Sequence, residues 1–286
     1  MLLFAIFTYT WLTLQIGSWP MKTPSRKLVL STLAFSASLF PLFANSAELG
    51  DFYNLGKRPT ETAVRVGAIA LNAPGYQGSD EQKSSVVPGI FLQASNGLFA
   101  DPFNGVGYVF EPAGNLIYGI RANIDTGRSV EDALPGFEKI KARLNPGVFA
   151  NYNVNEQLTL KSALRTGLGD GGDGSLLNLG ATYKLYNANF VSVNLNASVK
   201  FGSSSYMQSY FGVSPAQSAA SGLAAYQPAA GLAMAQVGLT GGFPISREIY
   251  IISSLSMQRL MGDAANSPIV KKMTQPAAFV GAVYSF

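Results

Sequence analysis

From residue 62 onward, hydrophobic and polar side chains alternate with a period of two along most of the chain. In residues 190–201, apolar residues occupy the odd positions from Val191 to Phe201, and polar residues occupy the even positions from Ser192 to Lys200. This alternation predicts β-strands with one apolar and one polar face. The strands reach ten residues or more, beyond the usual length of about five to six in globular proteins. That length matches the roughly 9–11 residues of a tilted strand that crosses a membrane.

The pattern predicts an all-β fold, a transmembrane antiparallel β-barrel of the bacterial outer membrane with about 12 strands. In a bilayer, long two-faced strands satisfy their backbone groups only by pairing into a closed ring. Connections such as Ser95-Asn96 and Val154-Asn155 are short and alternate with longer ones, as in barrels with short periplasmic turns. The alternative count is ten strands, because the pair at 97–111 is the weakest. The predicted strands are 62–72, 84–94, 97–101, 105–111, 115–125, 140–154, 156–168, 175–187, 189–203, 230–243, 247–260 and 276–286.

The last eleven residues, 276–286, form a strand that ends on an aromatic residue. Its even positions from Val280 to Phe286 are an apolar row. The spacing of Gly281, Tyr284 and Phe286 resembles the C-terminal signal of outer-membrane barrels. That resemblance implies recognition by the barrel-assembly machinery and closure against the first strand.

The first 61 residues divide into three predicted segments. Residues 1–20 carry no charge and have no place in an export signal, which indicates that translation starts at Met21. Residues 21–47 have a basic start, an apolar core and a small-residue end, so they predict a signal peptide cleaved near Ser46/Ala47. Residues 48–61 are a polar periplasmic lead-in, and the barrel occupies 62–286.

Charge and composition exclude several functions. The chain has 20 Lys+Arg and 16 Asp+Glu, and loss of residues 1–47 leaves 17 basic residues (20 less three) against 16 acidic ones. That balance gives no support to a nucleic-acid partner. The sequence has no Cys and no His, which removes the commonest general base and the commonest transition-metal ligand. We therefore expect no catalytic residues, no metal site and no cofactor.

Charged residues on the polar faces of the strands are candidates to line a lumen. They are Arg65, Arg121, Lys161, Arg165 and Lys200. In the loops, the spacing of Arg259 and Asp263 predicts an ion pair across the barrel mouth. The acidic stretch 169–174 (GDGGDG) resembles a calcium loop but lacks a distal Glu, so a flexible turn is favoured.

Three loop segments resemble signature motifs of the MipA/OmpV family of outer-membrane proteins. The resemblance covers about residues 52–286, and the segment 259–270 (RLMGDAANSPIV) is its most distinctive part. Phe279 departs from the polar residue often found at that place in the terminal signal. The motif residues are Gly75, Tyr76, Gly78, Ser79 and Asp80 in the first loop, Tyr210, Phe211 and Gly212 in the long loop, and Arg259, Leu260, Gly262, Asp263, Ala264, Ser267 and Pro268 in the last.

The resemblance implies a non-enzymatic scaffold in the outer membrane of a Gram-negative cell, in contact with outer-membrane lipid. The implied partners are a lytic transglycosylase and a bifunctional penicillin-binding protein. One alternative is a small passive channel lined by the five candidate lumen charges. Another is an adhesin that uses the long loop at 204–229.

We expect the processed protein to begin immediately after the predicted cleavage site, because the basic start and apolar core of 22–44 are typical of a cleaved export signal. N-terminal sequencing of the protein from outer membranes measures this directly. Sequencing of the precursor tests the start at Met21, and a peptide that includes Trp11 would contradict it.

Overall fold

The computed structural model describes residues 57–110, 114–125, 127–128, 135–168, 174–188 and 191–286. The predictions for residues 1–47, including the translation start and the cleavage site, lie outside these residues. So does most of the lead-in at 48–61.

Twelve antiparallel strands form one closed barrel, as the alternation predicts. Each strand pairs with its neighbours in the chain, and the last strand pairs with the first. The count of 12 is therefore confirmed over the alternative of ten. The strands are β1 Ala63–Pro74, β2 Gln82–Gln93, β3 Leu98–Asp101, β4 Gly105–Phe110, β5 Leu116–Asp125, β6 Arg143–Asn153, β7 Leu158–Thr166, β8 Ser175–Ala188, β9 Val191–Gly202, β10 Gly231–Pro244, β11 Ile249–Leu260 and β12 Thr274–Ser285.

The seam between β1 and β12 closes the ring. Its register runs from Arg65 opposite Ser285 to Asn72 opposite Ala278. The C-terminal strand thus meets the first strand, as its sequence predicts. It begins at Thr274, two residues before Pro276, which lies opposite Met257 of β11.

The outward rows of the strands form an apolar belt around the barrel. Val86, Ile120, Val148 and Leu255 are exposed members of it. A protein in water rarely exposes a continuous apolar surface of this kind, whereas lipid requires one. The end with the short turns is accordingly the periplasmic end, and the end with the long loops faces outside.

Most aromatic side chains near the strand ends are exposed, as expected of a girdle at the membrane–water interface. Among the aromatic residues near the predicted strand ends, Tyr250 is an exception because it faces the interior and packs with the buried cluster around Phe279. Phe190 lies outside the described residues. The exposed ones are Tyr183, Tyr186, Phe201, Phe243, Tyr284 and Phe286.

Within the described loop residues, three short helices lie at the extracellular end. They are α1 Ser204–Phe211, α2 Pro215–Ser221 and α3 Gly262–Ala265. The Ser203 side chain caps α1, and Ser214 with Gln217 forms a capping box on α2. None of the described helices is long and apolar enough to span a bilayer.

The β3–β4 hairpin is much shorter than its neighbours. It pairs with β2 only at Leu92 and Gln93, so the upper part of β2 has no strand on that side. The turn folds inward because the Asp101 carboxylate accepts hydrogen bonds from the backbone N–H of Phe103 (2.8 Å) and Asn104 (2.7 Å). Phe103 is thereby placed inside the barrel.

We expect Gly67→Ala to impair closure of the ring. A methyl group at Gly67 would overlap the carbonyl oxygen of Ala282 across the seam, and overpacking of this kind costs about 1–3 kcal/mol. The fraction of folded barrel, measured by the heat-dependent shift in gel mobility, should fall. Gly241→Ala is the control, because a methyl group there meets no atom closer than 3.4 Å. Equal folding of both variants would contradict this account of the seam.

Candidate functional site

The first and last extracellular loops are joined by backbone and glutamine hydrogen bonds. The Gly78 N–H donates to the Gln275 side-chain oxygen (3.0 Å), and the Gln275 amide donates to the Ser79 carbonyl (2.7 Å). The backbone N–H groups of Lys271 and Lys272 both donate to the Gly78 carbonyl. Gln275 is fully buried and holds the two loops together.

The long loop is joined to the last loop in the same way. The Ser267 hydroxyl donates to the Phe211 carbonyl (2.5 Å), and the Tyr226 hydroxyl donates to the Asp263 carbonyl (2.9 Å). The Asp263 carboxylate accepts from the backbone N–H of Ala229 (2.8 Å). Residues 75–81, 203–230 and 261–273 therefore form one unit, which we call the extracellular cap.

An apolar underside seals the cap onto the barrel. Met207 and Phe211 of α1 are fully buried in a cluster with Leu260 of β11 and Ala264 of α3. Leu176 of β8 belongs to the same cluster. Burial of a large apolar side chain stabilises the folded state by about 1.5–3 kcal/mol, so this contact holds the cap over the barrel mouth.

A partly buried tyrosine connects the cap to the β5–β6 side of the barrel. The Tyr210 hydroxyl donates to the Asp125 carboxylate (2.6 Å) and accepts from the Arg143 guanidinium (2.8 Å). Burial, and after it the Asp125 charge, raises the pKa of Tyr210 well above its usual value. The hydroxyl therefore stays protonated and remains a donor to Asp125.

The structure brings most of the family-motif residues together in the cap. Tyr76, Gly78 and Ser79 lie in the first loop and Ser267 lies in the last, and all four take part in hydrogen bonds within the cap. The Asp80 carboxylate forms an ion pair with the Lys271 ammonium at 3.4 Å. The remaining motif residues in the cap region are Gly75, Tyr210, Phe211, Gly212, Leu260, Gly262, Asp263, Ala264 and Pro268.

The predicted ion pair of Arg259 with Asp263 is wrong. Arg259 lies on an outward row of β11 and donates to the Thr274 hydroxyl (3.3 Å), while the Asp263 carboxylate caps the Ala229 N–H. The two residues are close in sequence, but Arg259 lies on the strand whereas Asp263 lies in the short helix that follows it, where its carboxylate turns to the long loop. Arg259 is thus the one motif residue that faces away from the barrel interior.

Beneath the cap, polar side chains fill the barrel. Lys200 is 1% exposed, and Asn196 and Gln275 are completely buried. Asn196 accepts from the Thr182 hydroxyl (2.8 Å), and Gln258 donates to Gln275 (3.2 Å). Small barrels can be filled by side chains rather than enclose a channel, and this part of the interior is packed in that way.

The five candidate lumen charges all lie on inward rows, but at different places. The Arg121 guanidinium donates to Asn104 (2.9 Å), next to the inward-folded hairpin. Arg165 and Lys200 are buried in the packed interior, and Lys161 lies opposite Asn151 of β6. Arg65 lines a cavity at the periplasmic end. The five charges therefore do not form a single ring around an open path.

The periplasmic end of the barrel holds a cavity of about 900 Å³. We call it the periplasmic cavity. The ends of β1, β2, β11 and β12 line it, together with the β10–β11 turn at 244–249. Its rim carries the charges of Arg65, Arg247 and Glu248, and its wall includes apolar Ile252 and Val283.

One wall of this cavity continues into a cluster of aromatic rings. Phe91 lines the cavity and lies 6.2 Å from Phe103, whose ring centre is 5.0 Å from that of Phe279. All three rings are buried in one cluster that joins β1, β2, β11, β12 and the hairpin turn. The cluster therefore borders the cavity on the side of these four strands.

The acidic residues do not gather into a cation site in the part of the chain that the structure describes. No group of three or more His, Cys, Asp or Glu side chains is placed to hold a metal there. The acidic stretch 169–174 lies outside the described residues except for Gly174.

Several residues that build these sites carry no clear signal in the sequence. Gln275 stands just before the predicted last strand, and Phe103 stands in a turn between two weak strands. The periplasmic cavity is formed by strand ends that meet only when the ring closes. Only once the strand is seen to begin at Thr274 does Gln275 stand out, as a polar residue on an inward row whose next members are apolar.

Comparison with known proteins identifies a family and several structures of similar shape. The family model described as MltA-interacting protein MipA matches residues 66–286. None of the curated proteins matches the chain.

Among solved structures, an outer membrane channel from Pseudomonas putida F1 is 12% identical, with 82% of this chain and 99% of that chain covered and a TM-score of 0.40. The NanC porin is 7% identical, with 78% and 100% covered and a TM-score of 0.39. OmpT of Vibrio cholerae is 8% identical, with 79% and 100% covered and a TM-score of 0.35. At such distances these likenesses carry no information about function.

We expect Gln275→Ala to loosen the cap. It leaves the buried Gly78 N–H and Ser79 carbonyl without partners, at a cost of about 1–3 kcal/mol. Trypsin should then cleave after Lys271 and Lys272 about tenfold faster, the factor for 1.4 kcal/mol of easier local opening. Gln227→Ala changes an exposed glutamine of the same cap and is the control. Equal cleavage rates for the two variants would contradict the role of Gln275.

Proposed function

Because the chain belongs to the MipA family, we propose that it is a non-enzymatic outer-membrane scaffold that docks periplasmic cell-wall enzymes. The family description names an interaction with MltA, and the sequence resemblance implies a lytic transglycosylase together with a bifunctional penicillin-binding protein. These partners would bind at the periplasmic face, where murein lies.

The observation that carries this proposal is the periplasmic cavity. Its volume of about 900 Å³ can accept several side chains of a docked segment, and its apolar wall offers burial to them. Ile245, at the rim, is 64% exposed. An exposed apolar side chain beside an apolar cavity is a surface that gains free energy when a partner covers it.

Charges around the rim add specificity to such a contact. Arg65 and Arg247 lie with Glu248 around the opening, so a partner segment with an acidic flank would be favoured. Rim charges mainly affect the rate of association and the choice of partner, whereas the buried apolar contact supplies most of the affinity.

A passive channel is the second candidate, favoured by the basic residues on the inward rows. The closed cap, the buried layer at Lys200 and Gln275, and the ring cluster at Phe103 all support the scaffold instead. Each of them occupies space that a solute would have to cross.

The chemistry of the chain also supports a non-enzymatic role. With no His and no Cys, the sequence offers neither the usual general base nor a thiolate nucleophile. The buried acids Asp101 and Asp125 serve the hairpin turn and the Tyr210 contact, respectively. Both carboxylates therefore have structural partners.

We expect Ile245→Asp to reduce recovery of the murein enzymes by at least about tenfold, since a carboxylate at the rim removes an apolar contact and opposes burial. Affinity capture from gently solubilised envelopes, quantified by mass spectrometry, measures the loss. Val154→Asp is the control, because Val154 is an exposed apolar residue (43%) in another periplasmic turn. Equal recovery with both variants would contradict docking at the cavity, and capture of no murein enzyme by the wild type would contradict the scaffold.

We expect the purified barrel to be silent in a planar bilayer, because packed side chains fill the interior above the cavity. Current recording at both voltage polarities is the measurement. Stable unit openings would instead favour the channel, and their loss in Lys200→Glu would assign the path to the barrel interior.

A further inference from the structure

Arg259 breaks the pattern of the outward face. In the described strands, the outward rows carry apolar or small neutral side chains, and Arg259 is the one charged residue among them. It is the second-last residue of β11, at the extracellular end of the strand. A charge on the lipid face costs about 2–4 kcal/mol at the bilayer midplane but little near an interface. Its position therefore fits the level of the lipid head groups.

The Arg259 guanidinium retains most of its hydrogen-bonding capacity. Of its five N–H donors, one contacts the Thr274 hydroxyl at 3.3 Å. In the described part of the chain, no carboxylate lies within 4.0 Å of Arg259. The Asp263 carboxylate, four residues further on, accepts a hydrogen bond from the Ala229 N–H instead. A planar fork of this kind matches the oxygens of a phosphate.

A second cation, Lys272, stands two residues before the strand partner of Arg259. Lys272 precedes Thr274 by two residues, and Thr274 is the residue opposite Arg259 in the register. Lys272 is exposed, and its backbone N–H is fixed by the Gly78 carbonyl of the cap. The preceding residue, Lys271, forms an ion pair with Asp80, and their hydrogen bond raises the pKa of Lys271. Arg259 and Lys272 are thus two exposed cations that have no carboxylate within 4.0 Å among the described residues.

The surface directly below this pair is apolar. Leu255, which is 63% exposed, and Met257 continue the outward row of β11, and Pro276 and Ala278 continue that of β12. Cations above an apolar strip match a molecule with a phosphate head and acyl chains. Free phosphate would use the cations but not the strip.

We propose that Arg259, Lys272 and Thr274 form a binding site for the phosphate of a phosphorylated lipid in the extracellular leaflet. Arg259 would bind the phosphate with its free N–H groups, Lys272 would add a second charge, and the Thr274 hydroxyl would orient the guanidinium. Leu255 and Met257 would contact the acyl chains. The site is independent of the periplasmic cavity and of the scaffold role.

The test uses the full-length barrel in phosphatidylcholine vesicles, with or without 10% (about one lipid in ten) bisphosphorylated lipid A. We expect lipid A to raise the temperature of unfolding, and dephosphorylated lipid A to have no effect. In the double variant Arg259→Gln, Lys272→Gln, retention of lipid A in native mass spectrometry should fall by about fivefold for each cation removed. Lys139→Gln, in the exposed part of another extracellular loop, is the matched control.

Each result decides the proposal. Equal stabilisation of the double variant and the wild type would overturn the site, as would equal effects of phosphorylated and dephosphorylated lipid A. If inorganic phosphate alone reproduced the full stabilisation, the ligand would be a free anion and the lipid assignment would be wrong. Arg259→Lys should retain part of the effect, because it keeps the charge but loses the fork. Unchanged heat-dependent gel mobility would show that the variants still fold.

Discussion

Closure of the hydrogen-bonded ring is the constraint on which the rest of this structure depends. In a bilayer, every unpaired backbone N–H or carbonyl costs several kcal/mol, so the first and last strands must meet. Eight residue pairs join β1 to β12. Once the ring is closed, alternation along each strand assigns every second side chain to lipid and the others to the interior. The apolar belt and the polar interior both follow from that closure.

Closure alone does not decide what the interior does. Here the interior is divided along the barrel axis into a cap, a packed polar layer, an aromatic cluster and a cavity that opens to the periplasm. The first three are built from side chains that contact one another, so they stabilise the barrel. The cavity is the part of the described interior that side chains leave unfilled. The docking that we propose uses this end of the barrel.

The fold could be predicted from the sequence because its main signal is local. Alternation such as that from Val191 to Phe201 predicts both the strand and its two faces, and the turn lengths predict the orientation of the barrel in the membrane. The cap and the cavity could not be predicted in the same way. The contact of Gln275 with Gly78 joins residues far apart in the chain, and the pairing of Arg259 with Asp263 was inferred from spacing alone. The position of Arg259 on its strand places its side chain outward. Only the three-dimensional structure shows that the Asp263 carboxylate accepts a hydrogen bond from the Ala229 N–H.

The aromatic cluster has a consequence for assembly. Phe103 comes from an early hairpin and Phe279 from the final strand, so their contact at 5.0 Å cannot exist before both ends of the chain have arrived. Contacts between distant segments are slow to form because the chain must first lose the entropy of the intervening loop. The contact among the three rings therefore forms late in assembly. A barrel whose ends have met in the wrong register would lack the contact between Phe103 and Phe279 and the stability that it adds.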